Sequence, residues 1–194
     1  MTLSGFMNFD ELLAFHCSPV FVGLKPANLV SLPHGGSVQE TEVGELVRSY
    51  NEKFADQKII FRRLCYCEKR LLILVYNKEK LEAILQDAGY QACLVAMGYR
   101  KEASLEEQLA VLEEHLQSKD GFPHEIGVFL GYPLEDILGF IINGGKNCKY
   151  SGYWKVYGDV SAARRLFELY ERCSNALLQK VAAGIPLQNA VSMI

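Results

Sequence analysis

The chain has 194 residues, 49% of them hydrophobic and 22% charged, with a formal net charge of −3 at pH 7. This length predicts a single globular domain over residues 1–194, and the apolar content is enough for a packed core and too high for a disordered polymer. The net negative charge argues against nucleic acid as a partner, and the longest strongly apolar run, residues 71–76, is far shorter than the roughly 20 residues of a membrane-spanning helix.

The beginning of the chain and its cysteines predict a cytoplasmic protein. Residues 1–15 contain Asp10 and Glu11 but no lysine or arginine, which is the wrong charge order for a secretory signal. The six cysteines are scattered through a chain that can build its own core, so reduced thiols are expected.

The first part of the chain alternates between helix and strand patterns. A short helix is predicted over residues 8–15, stopped by Pro19. A strand over residues 27–32 precedes a Pro-His-Gly-Gly turn at residues 33–36, and an amphipathic helix follows over residues 38–54.

Residues 59–66 and 71–76 predict an antiparallel hairpin whose second strand is apolar on both faces and therefore central in its sheet. A helix over residues 78–88 is expected to end at Gly89. Ser104 and Glu107 have the spacing of a capping box that opens another helix.

The second half predicts a strand over residues 126–130 and then a helix that begins at Pro133 and ends at residues 143–145. The apolar residues of this helix are expected on one buried face: Leu134, Ile137, Leu138, Ile141 and Ile142. An aromatic strand at residues 150–157 would complete a parallel crossover, and a last helix runs from Asp159 to about Ala183. The predicted fold class is α/β or α+β, with a mixed sheet of about five strands and helices packed on it.

Five motifs of the chain resemble an uncharacterised bacterial family, found mainly in anaerobic Gram-positive bacteria, whose domain has no assigned function. The motifs are HCxP at residues 16–19, KPANL at 25–29, FPHEIG at 122–127, GYPLED at 131–136 and GYWKVY at 152–157. The resemblance covers about residues 9–182, and it implies no activity, cofactor or catalytic residue.

Cys17 and His16 stand at the end of the first predicted helix, where a thiolate could act as a nucleophile. Adjacent helical side chains point about 100° apart, so Cys17 would need a base other than His16, such as His34 or His124. A helix C-terminus also disfavours the thiolate, so a structural role for Cys17 is the stronger interpretation.

His124 and Glu125 offer two proton-transfer groups just before the predicted strand at residues 126–130. On an extended segment they would point to opposite faces, and a backbone hydrogen bond near Pro123 is the simpler role for His124. The helical zinc motif H-E-x-x-H is absent here, because Val128 stands where the second histidine would be.

Neither of two glycine-containing turns has the features of a phosphate-binding loop. In the turn after Tyr132, Pro133 lacks the backbone N–H that an anion would need. Two carboxylates, Glu135 and Asp136, also occupy the positive end of the helix dipole, and both features disfavour an anion. The Gly-Gly-Lys sequence ending at Lys146 lacks the P-loop spacing. It predicts a helix cap followed by a cationic side chain in a loop.

Two further clusters have weaker signals. Cys65 and Cys67 share one strand face, but no further zinc ligands stand nearby, so no metal site is predicted. The aromatic segment contains Tyr153, Trp154 and Lys155, which could line a surface for a flat ligand or a protein.

Two functional hypotheses follow. The first is a ligand-binding protein or enzyme that acts on a small polar metabolite by acid–base or thiol chemistry. Its catalytic candidates are Cys17, His124 and Glu125, and its ligand-binding candidates are His16, Lys25, Asn28, Tyr132, Trp154 and Lys155. The alternative is a noncatalytic protein–protein interaction module that uses the aromatic strand or the apolar tail at residues 185–194. No cofactor, substrate or oligomeric state is predicted.

Overall fold

The computed structural model describes residues 2–4, 7–33, 40–67, 70–118 and 122–193. The chain divides into two compact units. Unit 1 comprises residues 1–79 and 172–194, and unit 2 comprises residues 80–171. Most of the turn predicted at residues 33–36 lies outside the described residues.

Helices dominate a mixed α and β structure. The described helices are α1 (Phe9–Phe21), α2 (Glu40–Lys53), α3 (Lys78–Gln86), α4 (Ala88–Ala96), α5 (Leu105–Gln117), α6 (Ile126–Phe129), α7 (Leu134–Ile142), α8 (Val160–Ala182) and α9 (Leu187–Val191), with a 3-10 turn at Ala55–Gln57. The described strands are β1 (Thr2–Ser4), β2 (Met7–Asn8), β3 (Ala27–Pro33), β4 (Ile59–Cys67), β5 (Arg70–Asn77), β6 (Tyr150–Ser151) and β7 (Lys155–Val156).

The main sheet of unit 1 has the order β3-β5-β4, with both pairs antiparallel. This confirms the predicted hairpin and its central second strand, since all six residues from Leu71 to Tyr76 are at most 3% exposed. The side chain of Asn51 covers the edge of β4, because its amide donates to the Phe61 carbonyl at 2.9 Å and its oxygen accepts from the Phe61 N–H at 2.8 Å. These two bonds satisfy backbone groups that an edge strand would otherwise expose.

One face of the sheet packs on the apolar core of unit 1. Residues of α1, α2 and the end of α8 contribute to this core, together with Leu187 and Ala190 of α9. Leu187 is 2% exposed and Ala190 is fully buried, so this part of the C-terminal tail folds against its own unit.

Helix α1 runs through Pro19 to Phe21, so the prediction that Pro19 stops the helix was wrong. Proline has no N–H, and the carbonyl of Phe15, four residues earlier, therefore loses its helical donor. The hydroxyl of Ser174 donates to that carbonyl at 2.9 Å, and the hydroxyl of Ser18 is 2.8 Å from Ser174 Oγ. A side chain distant in sequence thus supplies the donor that Pro19 lacks.

The helix predicted over residues 78–88 is two helices, α3 and α4, and Gly89 lies in the first turn of the second. Asp87 caps α4, since its carboxylate accepts from the N–H groups of Gly89 and Tyr90. A Cβ on Gly89 would lie 2.8 Å from a methyl of Leu134, so close packing accounts for the glycine. The Ser104–Glu107 capping box of α5 is confirmed.

Residues 126–130, predicted as a strand, instead form the single helical turn α6 and a following turn. An apolar run of this length does not distinguish a buried strand from a buried helical segment. The predicted parallel crossover is therefore absent. The expectation of about five strands in one sheet was also wrong, because the described strands form one three-stranded and two two-stranded antiparallel sheets.

Helix α7 ends at Ile142, and its C-cap Asn143 precedes Gly144 and Gly145, both with positive φ, at the place predicted. Its predicted buried face was wrong: Ile137 is buried, but Leu138 is 41% and Ile142 80% exposed. The helix instead turns Asp136 and Gly139 inward, and a Cβ on Gly139 would lie 2.5 Å from Tyr157.

The aromatic segment 150–157 is a hairpin of β6 and β7 and not one strand. The chain reverses at Gly152, where a Cβ would lie 2.3 Å from the ring of Phe167. The last helix is found as predicted, with the Asp159 carboxylate accepting from the Ala162 N–H at 2.9 Å. Within the part of the chain that the structure describes, no helix has the length and apolarity needed to cross a membrane.

Candidate functional site

The predicted site residues fall into two groups, one in each unit. His16, Cys17, Lys25 and Asn28 belong to unit 1, whereas His124, Glu125, Tyr132, Trp154 and Lys155 belong to unit 2. Each group is described by itself.

Cys17 is fully buried in the core of unit 1. Burial raises the pKa of its thiol to about 12, against a smaller opposing effect of the Lys25 charge. A thiol with this pKa is protonated at neutral pH, and only the thiolate is a good nucleophile. Cys17 therefore has the features of a structural cysteine.

Lys25 lies beside this core and is only 4% exposed. Burial lowers the pKa of its ammonium to about 8, which the interaction with Cys17 partly opposes. Its Nζ donates to Asn28 Oδ1, and the Asn28 amide donates to the His16 carbonyl at 2.7 Å. Partial burial also lowers the pKa of the His16 ring. Asn28 at the start of β3 is thus bonded both to Lys25 in the loop after α1 and to the backbone of α1 itself. In unit 1 the KPANL motif therefore connects α1 to β3.

Unit 2 contains an open cavity of about 420 Å³ with mainly apolar walls. Four of the five predicted residues of this unit line it, namely His124, Tyr132, Trp154 and Lys155. The other lining residues are Phe122, Pro123, Ile126, Gly127, Leu130, Asp136, Ile137, Phe140, Ser151, Gly152 and Tyr153. The FPHEIG, GYPLED and GYWKVY motifs thus meet around one space.

Stacked rings form one wall of the cavity. The rings of Tyr132 and Trp154 stack with centroids 4.8 Å apart, and the edge of Phe167 meets Trp154 at 4.5 Å. Burial raises the pKa of Tyr132 to about 12, so its hydroxyl stays neutral at physiological pH. Flat aromatic faces of this kind suit stacking with a planar group.

Asp136 holds this wall in place. It is 3% exposed, and its carboxylate accepts from the indole N–H of Trp154 at 2.7 Å and from the N–H groups of Tyr157 and Gly158 at 2.7 and 2.8 Å. These three donors connect the start of α7 to the residues on either side of the strand β7. The sequence-based interpretation of Asp136 as a partner of the helix dipole missed this buried role.

Lys155 and His124 are the two basic side chains among the described residues that line the cavity. Lys155 Nζ donates to the Gly145 carbonyl at 2.6 Å and lies 5.7 Å from the centroid of Phe140. This bond uses one of the three ammonium donors, which leaves the others directed elsewhere. The exposed His124 ring packs edge-on against Phe140 at 5.0 Å.

Glu125 does not line this cavity. It is 5% exposed, and Oε1 lies 2.5 Å from His115 Nδ1 and 3.3 Å from the Tyr99 hydroxyl. His124 and Glu125 do face different surroundings, but they lie in a turn that leads into α6 and not on the predicted extended segment. Burial and the nearby carboxylate both raise the pKa of Tyr99, which keeps it a hydrogen-bond donor.

A family model described as "Protein of unknown function (DUF3793)" matches residues 13–191. The chain belongs to this family. No curated protein and no solved structure matches it. The DUF3793 match includes all nine predicted site residues, from His16 to Lys155, so it confirms the family resemblance without assigning a role to any of them.

Within this DUF3793 domain, the residues described contain no group of three or more His, Cys, Asp or Glu side chains placed to hold a metal ion. The side chain of Cys67, considered with Cys65 as a ligand pair, lies outside the described residues. The sequence reasoning missed Phe140, His115 and Tyr99. None of the three has a local sequence signal, since each acquires its role through a contact with a residue 10 or more positions away.

Proposed function

We propose that the unit 2 cavity binds a small planar ligand that carries a negative charge, and that the protein acts through this binding. The observation that carries the proposal is the cavity of about 420 Å³ with the Tyr132–Trp154 stack on one wall and the Lys155 ammonium on its lining. Aromatic walls with a few polar groups that fix orientation are typical of small-molecule sites.

The charge preference follows from the neighbouring groups. Among the described residues of the lining, Asp136 is the one carboxylate, and three N–H donors already engage it. Lys155 retains donor capacity, and the exposed His124 ring offers a second nitrogen that can form a hydrogen bond. A carboxylate or phosphate on the ligand would therefore meet the Lys155 cation, while the Asp136 carboxylate is engaged by its own donors.

Binding is better supported than thiol or acid–base catalysis. Cys17 is buried with a raised pKa, and the Glu125 carboxylate is engaged by His115 and Tyr99. Of the three predicted catalytic residues, only His124 lines the cavity. We place this activity in the cytoplasm, which the free thiols of Cys17, Cys65, Cys93, Cys148 and Cys173 support.

The single tryptophan of the chain makes the test specific, because its indole N–H gives one cross-peak in a ¹H–¹⁵N spectrum. We would titrate the full chain with 2-naphthoate, with its neutral amide, and with cyclohexane carboxylate, which is charged but not planar. We expect a saturable shift of the Trp154 peak with 2-naphthoate and markedly weaker binding of the other two compounds.

Lys155→Met should weaken 2-naphthoate binding about tenfold, which corresponds to about 1.4 kcal/mol. Lys149→Met is the matched control, since Lys149 Nζ also donates to a glycine carbonyl, that of Gly158, but does not line the cavity. Equal binding of the acid and the amide, or equal effects of the two lysine variants, would refute the charge preference. No shift with any of the three compounds would refute the planar-ligand site.

A further inference from the structure

The two basic side chains described on the lining of the unit 2 cavity lie against one ring, that of Phe140. Lys155 Nζ is 5.7 Å from the centroid of this ring, and the His124 ring packs edge-on against it at 5.0 Å. Gly145, whose carbonyl accepts from Lys155, also packs here, since a Cβ on Gly145 would lie 3.0 Å from Phe140 Cζ. Residues from two different motifs thus bring hydrogen-bond donors to the same part of the cavity.

Ser151 adds a third donor beside Lys155. The two residues are directly opposite each other in the hairpin of β6 and β7, and both line the cavity. Side chains of such a cross-strand pair point to the same face, with Cβ atoms about 4.5–5.5 Å apart. The Ser151 hydroxyl and the Lys155 ammonium can therefore contact the same group of a ligand.

The backbone around His124 is held from both sides. The His124 carbonyl accepts from the Gly127 N–H at 3.3 Å in the turn that leads into α6. The next residue, Glu125, is buried, and its Oε1 lies 2.5 Å from His115 Nδ1 and 3.3 Å from the Tyr99 hydroxyl. These contacts fix the turn from which the exposed His124 ring reaches the cavity.

Three donors of this kind suit a phosphate group better than a carboxylate. A phosphate monoester carries a charge of about −1.5 to −2 at pH 7 and has three strong acceptor oxygens, whereas a carboxylate has one charge and two oxygens. An ammonium group and a hydroxyl both donate, and an imidazole has at least one N–H in either protonation state. The lysine bond to Gly145 uses only one of its three donors, so each phosphate oxygen can receive a hydrogen bond.

We propose that the ligand of the unit 2 cavity is a planar ring that carries a phosphate group, with Lys155, Ser151 and His124 as donors to the phosphate oxygens. This inference rests on the proposed function, because the Tyr132–Trp154 stack binds the ring. The site differs from the glycine turns of the sequence analysis, since side chains and not backbone N–H groups supply the donors. The role of His124 is then to select the phosphate.

The test compares four compounds with the full chain: 2-naphthyl phosphate, 2-naphthoate, 2-naphthol and inorganic phosphate. Calorimetry measures the affinities, and the indole peak of Trp154 reports whether the ring occupies the cavity. We expect 2-naphthyl phosphate to bind about tenfold more tightly than 2-naphthoate, which is the effect of one added charge-assisted hydrogen bond. 2-Naphthol and inorganic phosphate each lack one half of the ligand and should bind much more weakly than the ester.

Two histidine variants locate the phosphate. His124→Phe keeps a ring against Phe140 but removes both nitrogens, so it should weaken binding of the ester about five- to tenfold. It should change 2-naphthoate binding less than about twofold, because Lys155 and Ser151 can serve the two carboxylate oxygens. His16→Phe is the matched control and should leave both affinities unchanged, since the His16 ring also packs edge-on against a phenylalanine, at 4.9 Å, but does not line the cavity.

Three results would overturn the phosphate assignment. The first is equal affinity for 2-naphthyl phosphate and 2-naphthoate, and the second is an equal effect of His124→Phe and His16→Phe on the ester. The third is inorganic phosphate that binds as tightly as the ester, because the ring would then contribute nothing. After either of the first two results, a Trp154 shift with 2-naphthoate would leave the planar-ligand site standing, whereas no shift with either naphthyl anion would refute both proposals.

Discussion

Lys25 in unit 1 and Lys155 in unit 2 were both predicted to bind a ligand, and each donates a hydrogen bond to a nearby oxygen of its own unit. Lys25 is 4% exposed, and burial lowers the pKa of its ammonium. Lys155 is exposed and lies on the lining of an open cavity. The two lysines look alike as members of sequence motifs, but they differ in solvent access, and only Lys155 is placed where a ligand in this cavity could reach it.

The same contrast applies to the other polar residues of the two units. In unit 1, Asn28 and Ser174 make hydrogen bonds that satisfy backbone carbonyls of α1. In unit 2, Asp136 also satisfies internal donors, but one of them is the indole of Trp154, which lines the cavity. Asn28 and Ser174 thus satisfy the backbone of α1, whereas Asp136 supports a wall of the cavity.

The largest effect is expected from Asp136→Ala. The substitution leaves the buried indole N–H and two half-buried backbone N–H groups without an acceptor, and we expect it to lower the free energy of unfolding by about 3–5 kcal/mol. Urea unfolding followed by Trp154 fluorescence measures this change. Asp136→Asn keeps one acceptor oxygen, so its free energy of unfolding should lie between those of the wild-type protein and Asp136→Ala. A loss below about 1 kcal/mol in Asp136→Ala would contradict the role assigned to the carboxylate.

Local patterns predicted several elements of this molecule correctly. The hairpin of β4 and β5 and the capping box at Ser104 depend on neighbouring residues, and both are confirmed. The course of α1 depends on Ser174, which lies 159 residues after the carbonyl that it binds, and no local pattern contains that information. The helical turn at Ile126–Phe129 was missed because its residues are all buried and give no periodicity.

The candidate site was predictable in part for the same reason. Aromatic and basic residues in motifs led to His124, Tyr132, Trp154 and Lys155, which do line one cavity. Asp136 was interpreted as a partner of the helix dipole because it stands at the start of a helix. That position is correct, but the sequence does not show the bonds that the carboxylate accepts from the chain after β7. Glu125 was placed beside His124 by sequence adjacency, although its partners are Tyr99 and His115.

The second prediction concerns the pH dependence of unit 1. The pKa of Lys25 is about 8 in the folded protein and 10.5 as its ordinary value, so the unfolded chain binds more protons between these pH values. Folding stability therefore rises with pH across this window, by up to about 3 kcal/mol, and the contribution is lost as the pH falls through 8. Lys25→Met should remove the rise in urea midpoints measured between pH 7.5 and 10.

Cys17 acts in the opposite direction and needs a control. Burial raises the pKa of its thiol from 9.0 to about 12, so the folded protein binds more protons in this range and stability falls with rising pH. The comparison is therefore cleanest between Cys17→Ala and the double variant Cys17→Ala/Lys25→Met. Parallel pH profiles for these two proteins would mean that Lys25 is charged in the folded protein throughout.

The smallest effect is expected from Ser174→Ala, and a double-mutant cycle with Pro19→Ala tests its physical cause. Ser174→Ala removes the donor to the Phe15 carbonyl and the partner of Ser18, and we expect it to lower the free energy of unfolding by about 1–2 kcal/mol. Pro19→Ala restores a backbone N–H that can donate to the same carbonyl. In that background the cost of Ser174→Ala should shrink by about 1 kcal/mol.

Thermal or urea unfolding of the four proteins of the cycle measures this coupling. Costs that simply add would show that Ser174 does not replace the donor missing at Pro19, and the continuation of α1 to Phe21 would then rest on apolar packing alone. A coupling of the expected sign would show that a hydroxyl from α8 permits proline inside α1. The hydroxyls of Ser18 and Ser174 would then be explained by the backbone carbonyl that they satisfy.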